Sequence, residues 1–292
     1  MTHPAPPRDP RLTPARPDLA DVALRGLVEA ASYVEGVPHR VSAPSAPLRR
    51  APSSDSGIDT EAVMGDAVSV YEVKDGFAYV QLRHDGYVGY LPADALGRAE
   101  PEPTHRVRAL RTFLYPAPDL KRPNRGHLGL GAAMSAEGQE GEYLRLESGL
   151  YVFAPHCEPI AWREPDFAVT AERLVGTPYL WGGRTSLGLD CSGLVQLALE
   201  LAGLPCPRDA DQQERALGQP LPPGDLGSLR RGDLVFWRGH VGLMLDGERL
   251  IHANGHHMAV AVEPLAVAVA RIREKSYGPV TSLRRLTPSA GS

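Results

Sequence analysis

The sequence predicts an α+β domain, with a cysteine-bearing helix packed on an antiparallel sheet, preceded by two small all-β barrels. Three observations carry this expectation. "GLDCSGLVQLALELAGLP" (188–205) spaces Leu194, Leu197, Ala198 and Leu201 as one face of a helix, and Gly203 with Pro205 supplies the stop. "RRGDLVFWRGHVGLMLDGERLIHANG" (230–255) reads as three strands, "DLVFW", "HVGLML" and "RLIHA", joined by short glycine turns. Upstream, from about residue 36 to 160, short runs of alternating apolar and polar residues are separated by Asp-Gly and Gly-rich turns, the texture of small barrels.

Taken in chain order, residues 1–35 form a proline-rich N-terminal segment. Residues 1–17 are expected to be extended, and "DLADVALRGLVEA" (18–30) to form a short helix. Residues 36–103 make the first barrel, with turn signals at Lys74-Asp75-Gly76 and His84-Asp85-Gly86. A weaker copy of the same pattern runs over 104–165. After "REPD" (163–166) the order becomes helix first and strands later, which marks a third domain over 166–288.

The chain has 292 residues and a net charge of −4, with its arginines scattered, so nothing marks a nucleic-acid surface. Proline and arginine interrupt the N-terminus where a secretory leader needs an unbroken apolar stretch, and no segment is long enough to span a bilayer. The expectation is a cytoplasmic protein without membrane contact. Cys157, Cys191 and Cys206 are too few and too uneven for a disulfide framework.

Cys191 falls in the first turn of its helix, where unpaired N–H groups and the helix dipole favour a thiolate. A small buried apolar residue is the other reading of the same position. His240 opens the middle strand and His252 lies near the end of the next, so on adjacent antiparallel strands one imidazole can serve as base while the other holds it. His256 and His257 complete an "HANGHH" cluster with no suitably spaced acid or cysteine, which argues for loop histidines and no metal. "RGD" at 231–233 reads as the tight turn before a strand.

The blocks "PYLWGG", "LDCSGLVQ", "RGDLVFW", "GHVGLML" and "LIHANG" resemble, in the same order, those of the NlpC family of papain-like cysteine peptidases, with "RGD" where the family has "PGD". "GDAVSVYEVKDGFAYVQL" and "GYVGYLP" resemble the hairpin and closing strand of a bacterial SH3-like domain. This resemblance implies that Cys191 is the nucleophile, His240 the general base and acid, and His252 the orienting residue. Two SH3-like modules before an NlpC-type domain resemble the γ-D-glutamyl-L-diamino acid endopeptidases that recycle murein peptides. The implied partner is L-Ala-γ-D-Glu-diamino acid with a free amino terminus, and no cofactor is needed. Asp190, Ser192, Tyr179 and Trp181 are then expected at the substrate end of the cleft, joined by Tyr87 and an acid of the first barrel, Glu61 or Asp66. The rival readings are an exported hydrolase of intact murein, a non-catalytic wall-binding module, and an acyltransferase or amidase on the same scaffold.

Overall fold

The computed structural model describes residues 8–222 and 224–286. The far end of the N-terminal segment (1–7) and of the third domain (287–288) lie outside these. The chain divides into two compact units. The first comprises residues up to 106 with 112–128 and 132–160, and the second comprises 107–111, 129–131 and everything from 161 onward.

In the first unit, seven strands form one sheet in the order Ile58–Val63, Ser45–Arg49, Val88–Pro92, Phe77–Leu82, Ala67–Lys74, Val37–Val41 and Leu96–Arg98. Their inward residues, among them Val41, Leu48, Val68, Val80, Leu82 and Leu91, make one buried core. The Asp75-Gly76 turn has both residues at positive φ, 50° and 81°, which matches the right-handed twist of the hairpin it joins. The second all-β region contributes a three-stranded and a five-stranded sheet between residues 105 and 159.

The expected helix over 18–30 is replaced by a strand at Leu19–Asp21, a single 3₁₀ turn at Val22–Leu24 and a strand at Ser32–Val34, the two strands paired in parallel. Two causes override the helical spacing. Gly26 takes the left-handed conformation at φ 79°, and Leu19 docks among Tyr71 and Tyr79 of the barrel. The docking is reinforced by the Arg16 guanidinium, 4.6 Å from the Tyr79 ring centre, and by Tyr71 Oη donating to Asp21 at 2.8 Å.

The second unit packs helices on both faces of a six-stranded sheet. Helix α1 (Phe167–Arg173) is capped by Asp166, whose carboxylate accepts from Ala168 N at 3.0 Å. Helices α2 (Cys191–Leu201), α3 (Ala210–Ala216) and α4 (Leu265–Lys275) follow in chain order. The strands are β1 (Gln219–Pro220), β2 (Leu234–Trp237), β3 (His240–Met244), β4 (Arg249–Asn254), β5 (Ala259–Pro264) and β6 (Val280–Arg285), in spatial order β1-β6-β2-β3-β4-β5. Alternation sorts their side chains by face. Leu234, Phe236, Val241, Leu243, Ile251 and Ala253 join the α2 core, while Val235, Trp237, Met244 and Leu250 meet Leu265, Ala268 and Ile272 of α4.

The spacing in α2 predicts one buried face, yet every residue of the helix except Glu200 is buried. Helix α1, the sheet, and the short segment carrying Leu130 all press on it, and Glu200 pairs with Arg184 at 2.7 Å. Among the described residues, no helix is long and apolar enough to cross a membrane.

Candidate active site

Cys191 is the first residue of α2, and Asp190 is its N-cap, accepting from Gly193 N at 2.7 Å. The motif's glycine follows from packing, because a Cβ at position 193 would stand 2.2 Å from the Gly183 carbonyl oxygen. The thiol meets the N–H groups of Val241, the residue after His240, and of Ser192. The resting thiolate expected from the helix terminus is corrected here. Burial pushes the Cys191 thiol up to about 12 and Asp190 adds to the rise, while the two N–H groups and Arg208 offset only part of it. A dipole acts over one turn, and enclosure acts from every side.

The two histidines are brought together by register. β3 and β4 pair Leu243 with Ile251 and Met244 with Leu250; continued to the start of β3, this sets His240 diagonally across from His252 on the α4 face. His240 Nε2 and His252 Nδ1 are 2.8 Å apart. Tyr277 lies flat on the His240 ring, 5.1 Å between centres and 5° between planes, which fixes the plane of the imidazole. Burial pulls His240 down to about 3, and His252 and Arg271 add to that, against the opposing pull of Glu263. Burial thus favours the neutral form of both the thiol and the imidazole. A cavity of about 260 Å³ opens beside His240, lined by Asn254, His256, Arg271, Lys275 and Tyr277.

Ligand atoms of His252, His257 and Glu263 lie within 4.8 Å of one another. They do not form an open metal cage. Both His252 nitrogens are engaged, by His240 and by Glu263, and His257 Nδ1 bonds Asn254 Oδ1 at 3.0 Å.

Asp190 and Ser192 flank the thiol as expected, and a residue not anticipated from the sequence holds both. The Arg208 side chain, 0% exposed, reaches Asp190 Oδ2 at 2.7 Å, Asp190 Oδ1 at 2.9 Å and Ser192 Oγ at 2.9 Å. Gln213 donates to the Ser192 carbonyl at 2.9 Å. The Asp190 charge is thus already matched inside the protein, and its second oxygen also takes Gly182 N at 3.0 Å. Tyr179 is half-buried near Cys191 and Asp190, and burial, with both neighbours adding to it, raises its phenol so that it stays neutral. Trp181 stands in solvent, 67% exposed. In the first unit, Tyr87 packs in the barrel core, Asp66 accepts from Val63 N in a turn at 2.9 Å, and Glu61 lies on a strand opposite Pro47. Arg208, Tyr277 and Glu263 are the site residues that sequence reasoning missed. "PRDADQQ" holds a legible capping box in Asp209 and Gln212, but nothing local points the preceding arginine inward.

A cysteine at a helix start, with paired histidines on the strands beside it, defines a papain-like cysteine peptidase domain. Residues 176–275 match the NlpC/P60 family, and residues 48–96 match the bacterial dipeptidyl-peptidase Sh3 domain. The chain is 39% identical over 124 residues to dipeptidyl-peptidase 6 of Lysinibacillus sphaericus, a match covering 42% of this chain and 44% of that protein. It thus spans under half the length of that relative. Identity to the γ-D-glutamyl-L-lysine dipeptidyl-peptidase of Bacillus subtilis is 27% over 221 residues, 68% of this chain and 73% of the other. The solved structure of an NlpC/P60 family protein from Bacillus cereus superposes with a TM-score of 0.71 at 20% identity, covering 86% of this chain and all of that one (100%). That likeness shows a shared fold.

Proposed function

We propose that this protein is a cysteine endopeptidase that hydrolyses the γ-D-glutamyl-L-diamino acid bond of murein-derived peptides with a free N-terminal L-alanine, acting in the cytoplasm in cell-wall peptide recycling. The observation that carries the reading is the Cys191, His240 and His252 constellation, with its 2.8 Å imidazole pair, in an NlpC/P60 domain that follows a dipeptidyl-peptidase Sh3 domain.

In this mechanism His240 takes the thiol proton as Cys191 Sγ attacks the γ-carbonyl carbon of D-glutamate. The oxyanion forms near the Cys191 N–H, which stands where a helix offers no carbonyl partner. Collapse breaks the C–N bond, and His240 returns the proton to the leaving amine. The diamino acid therefore departs on the His240 side, where the cavity lies. Water then hydrolyses the thioester, with His240 again as base. On the acyl side, Ser192, the Asp190 edge and the Tyr179 hydroxyl receive the alanine ammonium, and Trp181 offers a flat wall. Because Arg208 already balances Asp190, the ammonium gains hydrogen bonds rather than an unopposed ion pair.

The test compares kcat/KM on L-Ala-γ-D-Glu-diaminopimelate and its N-acetylated form. Acetylation removes donors and adds bulk, with a loss of roughly tenfold to a hundredfold expected. Equal rates reject the free-terminus reading. They would favour hydrolysis of intact murein, the reading supported by 33% identity over 111 residues to a peptidoglycan endopeptidase of Mycobacterium tuberculosis.

A further inference from the structure

Antiparallel register carries the site one strand beyond the two histidines. β4 and β5 pair His252 with Ala261 and Leu250 with Glu263, so Glu263 lies diagonally across from His252 on the same face, as His252 does from His240. Glu263 Oε1 is 2.8 Å from His252 Nε2, and the Arg271 guanidinium on α4 closes on the same oxygen. Glu263 is 9% exposed. Burial alone would raise its pKa, yet the bonds from His252 and Arg271 hold the carboxyl below its usual range. An ionised carboxylate only accepts.

The positions of the protons follow from that constraint. His252 carries its proton on Nε2, where the carboxylate accepts it, and this leaves Nδ1 bare. A bare Nδ1 at 2.8 Å from His240 Nε2 accepts a hydrogen bond from the proton that stays on that atom. His240 is then left with a bare Nδ1 to receive the Cys191 proton. We propose that Glu263, held by Arg271, is a positioning residue of this site: it sets the tautomer of both histidines and balances the positive charge that appears on His240 when Cys191 gives up its proton.

The charged and titratable groups around this chain come from each element packed on it. They are Cys191 on α2 with Asp190, Arg208 and Tyr179 beside it, His240 on β3, His252 on β4, His256 and His257 in the turn after β4, Glu263 on β5, Arg271 and Lys275 on α4, and Tyr277 after α4. Glu263 supplies the negative charge on the histidine side, Asp190 being held by Arg208 at the start of α2, and Arg271 is both the anchor and the counterweight of Glu263.

The inference rests on Cys191 as nucleophile but not on the identity of the peptide, so its test begins without one. In the full chain carrying Glu263→Gln, the side chain keeps one oxygen for His252 and Arg271, loses its charge and carries an NH2 in place of the second oxygen. Iodoacetamide alkylation of Cys191, followed by peptide mapping from about pH 5 to 10, is expected to be roughly tenfold slower near neutral pH, with the Cys157 rate unchanged. Turnover of the tripeptide is expected to lose the same factor in kcat, with KM held. Wild-type alkylation and kcat in the folded variant, or a change in KM alone, overturns the assignment. Should Glu263→Gln not fold, the unmodified protein decides the matter. Nitrogen–proton correlation spectra at neutral pH should show His240 and His252 both protonated on Nε2, and a proton on His240 Nδ1 refutes the proposal. A normal tautomer pattern with slowed alkylation in the variant, but no tripeptide turnover in either protein, would sink the substrate reading and leave this one standing.

Discussion

Replacing Arg208 with methionine should destabilise the second unit more than any other single change around the active site. The guanidinium is wholly enclosed, with three contacts of 2.7 to 2.9 Å to Asp190 and Ser192. Methionine fills most of the volume but leaves Asp190 buried and unbalanced at the start of α2. Removing one partner of a buried pair costs about 3–5 kcal/mol. The Gly182 and Gly193 N–H groups still bond the orphaned carboxylate, which places the expected loss near the lower end, about 3 kcal/mol. Against a typical domain stability of about 5–15 kcal/mol, that is a large fraction. All three tryptophans, Trp162, Trp181 and Trp237, lie in the second unit, so their fluorescence in a urea titration reports that unit alone. The midpoint should fall by about 1–2 M. Arg208→Lys should fall in between, since an ammonium keeps the charge and loses the fork. The double variant Asp190→Asn with Arg208→Met should regain much of the loss, because the stranded charge is gone. A loss under about 1 kcal/mol in Arg208→Met, or no recovery in the double variant, refutes the reasoning.

Cys191→Ala is expected to abolish turnover with little change in the unfolding curve, and Cys191 should alkylate faster than the equally enclosed Cys157 only while His240 is present; equal rates in the wild type would remove the nucleophile assignment. His240→Ala should cost more activity than His252→Gln, which can still hold the imidazole, and comparable loss in two folded variants would contradict the division of roles. The depressed His240 pKa predicts acid lability with a defined window. The unfolded chain takes up a proton near the ordinary value of 6.5, while the folded site resists until about 3, so stability is complete above pH 6.5 and drains as pH falls toward 3. The slope approaches about 1.4 kcal/mol per pH unit for one such group. Urea midpoints measured across that range should flatten in His240→Asn, and an unchanged slope would count against the buried neutral imidazole.

Much of this site was legible in the sequence because its signals are short-range. The start of the Cys191 helix, the strand run from 234 to 254, the pairing of His240 with His252 and the Asp75-Gly76 turn each rest on a regular period or on the chemistry of a short turn. What escaped depends on the direction of single side chains, which no period or turn signal marks. Arginine is mostly a surface residue, and only the folded chain shows Arg208 turned inward to Asp190. Glu263 looks like the polar end of a strand in "AVAVEP" until the register sets it diagonally behind His252. The 18–30 stretch carries helical spacing, yet the tyrosines that receive Leu19 lie more than 50 positions away. The thiol's ionisation failed for the same reason: the helix terminus is local, and the enclosure that outweighs it is assembled from several segments.

The two short segments 107–111 and 129–131 have a consequence for how this architecture can be inherited. Leu130 is part of the second unit's core, Ser186 Oγ donates to the Leu110 carbonyl, and Arg173 donates to the carbonyl of Arg108 at 2.6 Å. The second unit is therefore not a cassette that ends at its own first helix. A gene fusion or recombination that transplanted only the region from 161 onward would carry away Cys191 and both histidines, yet leave a hole where Leu130 belonged and take the Leu110 carbonyl from Ser186.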